Sequence, residues 1–182
     1  MNEGLIPARY AKALFMVACE KKVDAGLYDL MKTLERSFSQ QPSLQSVLGN
    51  PYVSDSDKMD LLMTASGASV GGNVLFCDFL KLLSQNRRLD MARAIASAYI
   101  ALYRRRHDIY DVRVVSAAPM SDEEQKRLRD LIGRHLGGGQ MEYSTSVNPD
   151  LIGGFTVSVG NERIDASISN ELKQLRLNLI SK

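Results

Sequence analysis

Hydrophobic residues along the first hundred positions recur at steps of three and four, the spacing that gathers them on one face of an α-helix. Over 6–22, Ile6, Tyr10, Ala13, Leu14, Val17 and Ala18 keep this step, and Phe15 and Met16 widen the apolar surface. A second helix is predicted from Asp24 or Ala25, with Leu27, Leu30, Met31, Leu34 and Phe38 facing inward. Pro42 ends it, because proline disfavours helical backbone at the residue before it. A short helix through Leu44, Val47 and Leu48 then runs to Gly49, Asn50 and Pro51. Ser54 followed by Asp57 resembles a capping box with the shorter acid and starts a helix through Leu61 and Leu62. The run 67–72, GASVGG, reads as a connector, since the lysine and hydroxyl of a phosphate loop do not follow it. Positions 74–85 form the most apolar helix, charged only at Asp78 and Lys81. Such a helix is central in a bundle or lends one face to a partner. The last helix of the set spans 91 to about 107, on Ile95, Ala98, Tyr99, Leu102 and Tyr103.

At Ile109 the period drops to two. Tyr110, Val112 and Val114 alternate with Asp111 and Arg113, predicting a strand over 109–116. Ser121, with acids at 122–124, combines an N-cap, a favourable charge on the helix dipole and a capping-box glutamate at Glu124. That helix continues through Leu128, Leu131 and Ile132 and stops at the glycines 137–139; 141–147 alternate loosely as a second strand. The stretch 148–172 reads as turn, strand, tight turn, strand and helix start. Pro149 and Asp150 mark the turn, Phe155, Val157 and Val159 make a strand with one buried face, and 162–164 make a short return strand. Ser167 or Ser169 caps a final helix on Ile168, Leu172, Leu175 and Leu179. The expected fold is therefore α+β with two domains. An all-α bundle of five to six helices occupies 1–107, and a small α/β domain with short strands and a terminal helix occupies 108–182.

Composition adds limits. The chain has 182 residues, of which 45% are hydrophobic and 24% charged, enough to bury a core and incompatible with wholesale disorder. A net charge of +2 is too small to argue for nucleic acid or membrane by itself. Cys19 and Cys77 lie in apolar helical patterns and read as packed free thiols of a reducing compartment, with a disulfide between them left open. Arg9 and Lys12 interrupt the apolar start, which therefore does not read as a signal peptide, and no run approaches the roughly 20 apolar residues of a membrane span. Arg104, Arg105 and Arg106 read as a solvated helix end that complements the dipole. The rival reading joins them to Arg87 and Arg88 as a nucleic-acid patch. His107 and His135 have no metal-ligand spacing. With no nucleophile–base pair or paired carboxylates in sight, no catalytic residue, cofactor or metal site is expected.

Three stretches, in order, resemble the delta subunit of bacterial F-type ATP synthases, called OSCP in mitochondria. They are 8–15, ARYAKALF; 79–90, FLKLLSQNRRLD; and 115–121, VSAAPMS, taken with LIGG at 151–154 and DASI at 165–168. The resemblance covers essentially the whole chain. It implies a non-catalytic stator subunit of a proton-translocating ATP synthase that links the top of the catalytic head to the peripheral stalk and resists rotor torque. It further implies that the helical domain binds the N-terminal helix of alpha subunits and the C-terminal domain binds the C-terminal end of b subunits. Membrane association would come only through the complex, at the cytoplasmic face of the bacterial inner membrane. Carried onto matching positions, the alpha-binding groove involves Tyr10 and Ala13 on the first helix and Asp78 and Leu82 on the fifth. Each pair shares a helix face by its spacing, with a core role as the alternative for these positions, Leu82 above all. Ala166 departs from the glycine frequent in the family at that place, which asks for a negative φ there.

Overall fold

Proline, glycine and capping serines cut the first hundred residues into helices, as a computed structural model shows; it describes residues 4–68, 73–160 and 162–172. The helices are α1 (Leu5–Glu20), α2 (Asp24–Gln40), α3 (Ser43–Gly49), α4 (Asp55–Ser66), α5 (Val74–Gln85) and α6 (Ala92–Arg106), with a 3-10 turn at Leu89–Met91 before α6. At α4 the Ser54 hydroxyl accepts the Asp57 N–H at 3.1 Å and donates to the Asp57 carboxylate at 2.7 Å, so the shorter acid turns back onto the capping side chain. Gly67 closes the same helix in the left-handed conformation, φ 70°. Part of the expected connector (69–72), the turn residue Asn161, and Leu175 and Leu179 of the expected terminal helix lie outside the described residues.

The chain divides into two compact units, Met1–Arg106 and His107–Lys182. In the first, α1 and α2 both pack along α6. The buried face of α2 is Leu27, Tyr28, Met31, Leu34 and Phe38, close to expectation. That of α1 differs: Pro7, Ala11, Leu14 and Ala18 are buried, whereas Ala13, Met16 and Val17 face solvent. The helix is turned so that its small residues meet α6, which lets two helices approach closely. Cys19 lies on the solvent side and is not packed; Cys77 is half-buried with its sulfur 3.7 Å from that of Met63, and both thiols are free.

The second unit comprises β1 (Ile109–Ser116), α7 (Asp122–His135), β2 (Gln140–Val147), a 3-10 turn at Pro149–Leu151, β3 (Gly154–Val159) and β4 (Glu162–Ser167), followed by helical residues 168–172. The sheet order is β2-β1-β3-β4. β1 and β2 run parallel, joined by α7, while β1–β3 and β3–β4 are antiparallel. Pairing Val114 with Val157 and Val112 with Val159 sets the valines on one face, where Val112, Val114 and Val157 bury against Ile132 of α7. Two expectations need correcting. Leu131 is not inward but 66% exposed. β3 does not bury one face alone, because Thr156 on the opposite face is 3% exposed while Phe155 and Val159 are half-buried. Thr156 is crowded from both sides, since β3 is an inner strand and Val115 and Asp165 stand opposite it.

β4 extends three residues beyond the expected 162–164 because its end pairs with Gly154, opposite Ser167. Ser167 then accepts the Asn170 N–H at 3.3 Å and opens the following helical turn. Gly154 has φ 76°, and a Cβ there would run into the Ala166 carbonyl oxygen. Any side chain at 154 would thus meet both backbone strain and a steric block. Gly154→Ala is expected to destabilise the second unit by on the order of 3 kcal/mol in urea unfolding, leaving the helical unit intact.

At the start of α7 the Glu124 carboxylate accepts the Ser121 N–H at 2.8 Å, completing the capping box with Ser121. This hydrogen bond, then that from the Ser121 hydroxyl, hold Glu124 below its ordinary range. A depressed carboxylate gives stability that is present above the unfolded value of 4.5 and is lost as pH falls through the folded value. Glu124→Gln should therefore flatten the acid limb of the thermal-unfolding profile below about pH 4.5, with little change at neutral pH, since glutamine can keep the cap.

Candidate docking surface of the helical unit

The rotation of α1 that buries Ala11 and Ala18 leaves apolar side chains with no core to enter. Leu5, Met16 and Val17 are 59%, 57% and 37% exposed. α5 repeats the arrangement. Its core contacts are Phe76, Leu80 and Leu83, at steps of four and three. A second series at steps of four, Val74, Asp78 and Leu82, points outward, with Val74 63% and Leu82 45% exposed. Between these series the half-buried Phe79 ring meets the half-buried Tyr10 ring edge-on, centroids 6.5 Å apart and planes at 69°. An edge-to-face pair of this kind fixes where the two helices meet.

All four residues named from sequence therefore sit at or beside a surface, not in the core. Tyr10 is brought onto α5 through Phe79. Ala13 lies one turn further along α1, exposed and small, so it offers room where a larger residue would obstruct. Leu82, which by sequence could have been core, is a surface residue; Leu83 beside it takes the core position at 0% exposure. Asp78 pairs with Lys81 at 3.4 Å, but both side chains are more than half exposed, so the pair contributes little and leaves the carboxylate free to engage other cations.

Sequence reasoning saw the excess of apolar residues at Met16 and along 74–85 but did not name Phe79, Val74 or Met16 among the docking residues. In α5 two helical series overlap, Phe76-Leu80-Leu83 and Leu75-Phe79-Leu82, and a single core can absorb only one.

The polar groups around the buried aromatics are structural. Tyr99 is fully buried and its hydroxyl donates to the Asp24 carbonyl at 3.3 Å. Burial, then the Asp24 charge, push this phenol far above its ordinary range, so it stays protonated. The Arg104 Nε donates to the Tyr28 hydroxyl at 3.1 Å, and the Tyr28 ring stacks on Tyr103 with centroids 4.1 Å apart. One of the three consecutive arginines is thus committed to an aromatic stack. Among the described residues no group of three or more His, Cys, Asp or Glu is placed to hold a metal ion. The surface is apolar, shallow and suited to another polypeptide.

Known proteins are similar to this chain over nearly its whole length. Residues 6–179 match the family described as ATP synthase delta (OSCP) subunit. The ATP synthase subunit delta of Parabacteroides distasonis is 39% identical over 180 residues, covering 99% of this chain and 98% of the relative. That of a Synechococcus strain is 33% identical over 170 residues, 93% of each chain. A chain in the cryo-EM structure of the Toxoplasma gondii mitochondrial ATP synthase hexamer superposes with a TM-score of 0.73 at 22% identity, covering 96% of this chain and 97% of that one.

If the outward series on α5 is a surface, neighbouring leucines should respond very differently to truncation. Leu82→Ala should change the unfolding free energy in urea little, by under about 1 kcal/mol. Leu83→Ala should cost about 3 kcal/mol, as a buried leucine does. Equal losses would put Leu82 back in the core.

Proposed function

The chain belongs to the ATP synthase delta (OSCP) family, and on that premise we propose that the α1–α5 surface receives the N-terminal helix of an alpha subunit while the C-terminal unit holds the C-terminal end of the stalk b subunits. As a family member it is a non-catalytic stator subunit of an F-type ATP synthase, tying the catalytic head to the peripheral stalk against rotor torque. It is peripheral to the membrane complex, and among its described residues no helix is long and apolar enough to cross a membrane. Its place is the cytoplasmic face of the bacterial inner membrane.

The observation that carries the alpha-subunit reading is the pair of exposed apolar stripes on α1 and α5, joined at Tyr10 and Phe79. A guest helix presenting apolar residues at steps of three and four would fill such a surface. Ala13 would let it approach closely, and Leu82 would be one wall. Asp78 would meet a basic residue of the guest at the rim, setting register more than affinity. Each large apolar anchor buried would contribute about 1.5–3 kcal/mol before association costs. No observation supports the nucleic-acid alternative, since the arginine tract is partly tied to Tyr28 and the net charge is only +2.

Titration calorimetry of the full chain with a synthetic peptide copying the N-terminal segment of the alpha subunit tests this. Binding at roughly micromolar strength is expected, weakened about tenfold or more by Leu82→Asp or Ala13→Arg, both at exposed positions where the fold should survive. Wild-type affinity in both variants would sink the assignment of this surface.

A further inference from the structure

One lysine of the helical unit is buried without a counter-charge. Lys58, one turn into α4, is 8% exposed, yet its side chain makes no hydrogen bond or ion pair among the described residues. Lysine is almost never this buried unless a partner meets it, because taking an ammonium out of water is costly. Lys58 lines a cavity of about 480 Å³ formed by the end of α3, the loop into α4 and the turn between α5 and α6. Its ammonium is not sealed off, since the sealed and unsatisfied side-chain atoms among the described residues are Gln45 Oε1 and the Tyr143 hydroxyl. We propose that this cavity binds a small phosphate ester, with Lys58 and Arg87 meeting its phosphoryl group.

Arg87 lines the same cavity, and its guanidinium likewise has no hydrogen bond or ion pair among the described residues. The end of α5 carries it there. The Arg87 N–H donates to the Ser84 carbonyl at 2.9 Å and the Arg88 N–H to the Leu83 carbonyl at 2.8 Å, the paired bonds of a Schellman helix end. That ending holds residue 87 in the left-handed region, φ 52°, where glycine is the usual occupant. The long cationic side chain therefore stands on a backbone that asks for none. Two unpaired cations from separate elements suit a phosphate monoester, which carries a charge of about −1.5 to −2 at pH 7 and three acceptor oxygens. A single carboxylate would answer only one of them.

The rest of the lining decides what the phosphoryl group is attached to. The volume lies in the range of sites for whole small molecules and would leave free phosphate surrounded by empty space. Leu48, Pro51, Val53 and Leu89 supply an apolar wall for a carbon frame. Asp55 and Asp90 bring carboxylates to the same cavity, and Asp55 already accepts the Ser84 hydroxyl at 3.0 Å. Such groups accept hydrogen bonds from hydroxyl or amino groups and repel further negative charge. They favour a ligand with one phosphoryl group and neutral donors, a nucleoside or sugar monophosphate, over a polyanion such as nucleic acid.

The test is titration calorimetry of the full chain with AMP and, separately, with inorganic phosphate, both without divalent cations. AMP should bind, and inorganic phosphate should bind more weakly. Lys58→Met keeps an apolar stem and removes the buried charge, so it should weaken AMP binding about tenfold or more without lowering thermal stability. Arg87→Gly removes the guanidinium while relaxing its backbone, so it should weaken AMP by a similar factor and leave Tm unchanged or raised. Wild-type AMP affinity in both folded variants would overturn the proposal, as would the absence of binding by either probe at roughly millimolar concentration. Inorganic phosphate bound as tightly as AMP would overturn the ester and make free phosphate the ligand.

Discussion

The burial of Tyr99 is the interaction on which the helical unit depends. Its ring comes from α6, receives the edge of Phe15 from α1 at 5.7 Å, and sends its hydroxyl to the Asp24 carbonyl at the start of α2. Three helices are thereby tied to one side chain. Phe15 also meets Tyr103 edge-on, and Tyr103 stacks on Tyr28 of α2, so the tie extends along one more turn. Aromatic pairs add about 0.5–1.5 kcal/mol each beyond the area they bury, and their geometry is directional. That direction fixes the rotation of α1. With Phe15 turned to α6, Ala11, Leu14 and Ala18 enter the core, and Ala13, Met16 and Val17 are forced outward. The exposed apolar stripe of α1 is therefore a consequence of how the core is packed.

This also explains what the sequence could show and what it could not. Element positions were legible, because capping serines, Pro42 and the glycines act locally on the backbone. The change of period at Ile109 was legible for the same reason. The face of α1 was not. Ile6, Tyr10 and Val17 are as hydrophobic as a core stripe requires, and hydrophobicity does not distinguish a side chain buried by its own fold from one reserved for a partner. Ala11 carried the missing information, but as a small residue at a close helix contact it looks unremarkable in a list of apolar positions. At Leu82 and Leu83 the sequence offers two adjacent leucines, and only the contact with the rest of the bundle decides between them.

In the second unit the strands were readable and their partners were not. A period of two says that a segment is a strand, whereas the order β2-β1-β3-β4 depends on α7 carrying the chain over to the far side of β1. Once β3 lies between β1 and β4, Thr156 has a strand on either side of it, which the alternation of Phe155, Val157 and Val159 does not reveal. The glycines of 148–172 suggest turns, but Gly154 opens β3, and glycine is needed there because the Ala166 carbonyl lies where its Cβ would be. That close approach lets the end of β4 pair with the start of β3. Ala166, by contrast, keeps a negative φ, and its departure from glycine costs the fold nothing.

A stator must stay attached under load, so the lifetime of its contacts matters more than the speed with which they form. Two or three apolar anchors at about 1.5–3 kcal/mol each are of the same order as the estimated cost of association, roughly 4–15 kcal/mol. On that scale neither of the two proposed contacts alone is built for very tight binding. Carried on one chain, however, two such contacts make the second engagement intramolecular, and linkage of this kind can raise overall affinity by about 10²–10⁴ with no new contact. Detachment then requires both grips to open before either closes again. A non-catalytic stator subunit positions no reacting groups; what the helical unit carries at its surface instead is leucine, valine and methionine, set there by a core that uses neighbouring residues. The exposed apolar positions of α1 and α5 are thus the ones proposed to meet a partner, and the buried aromatic cluster is what holds them outward.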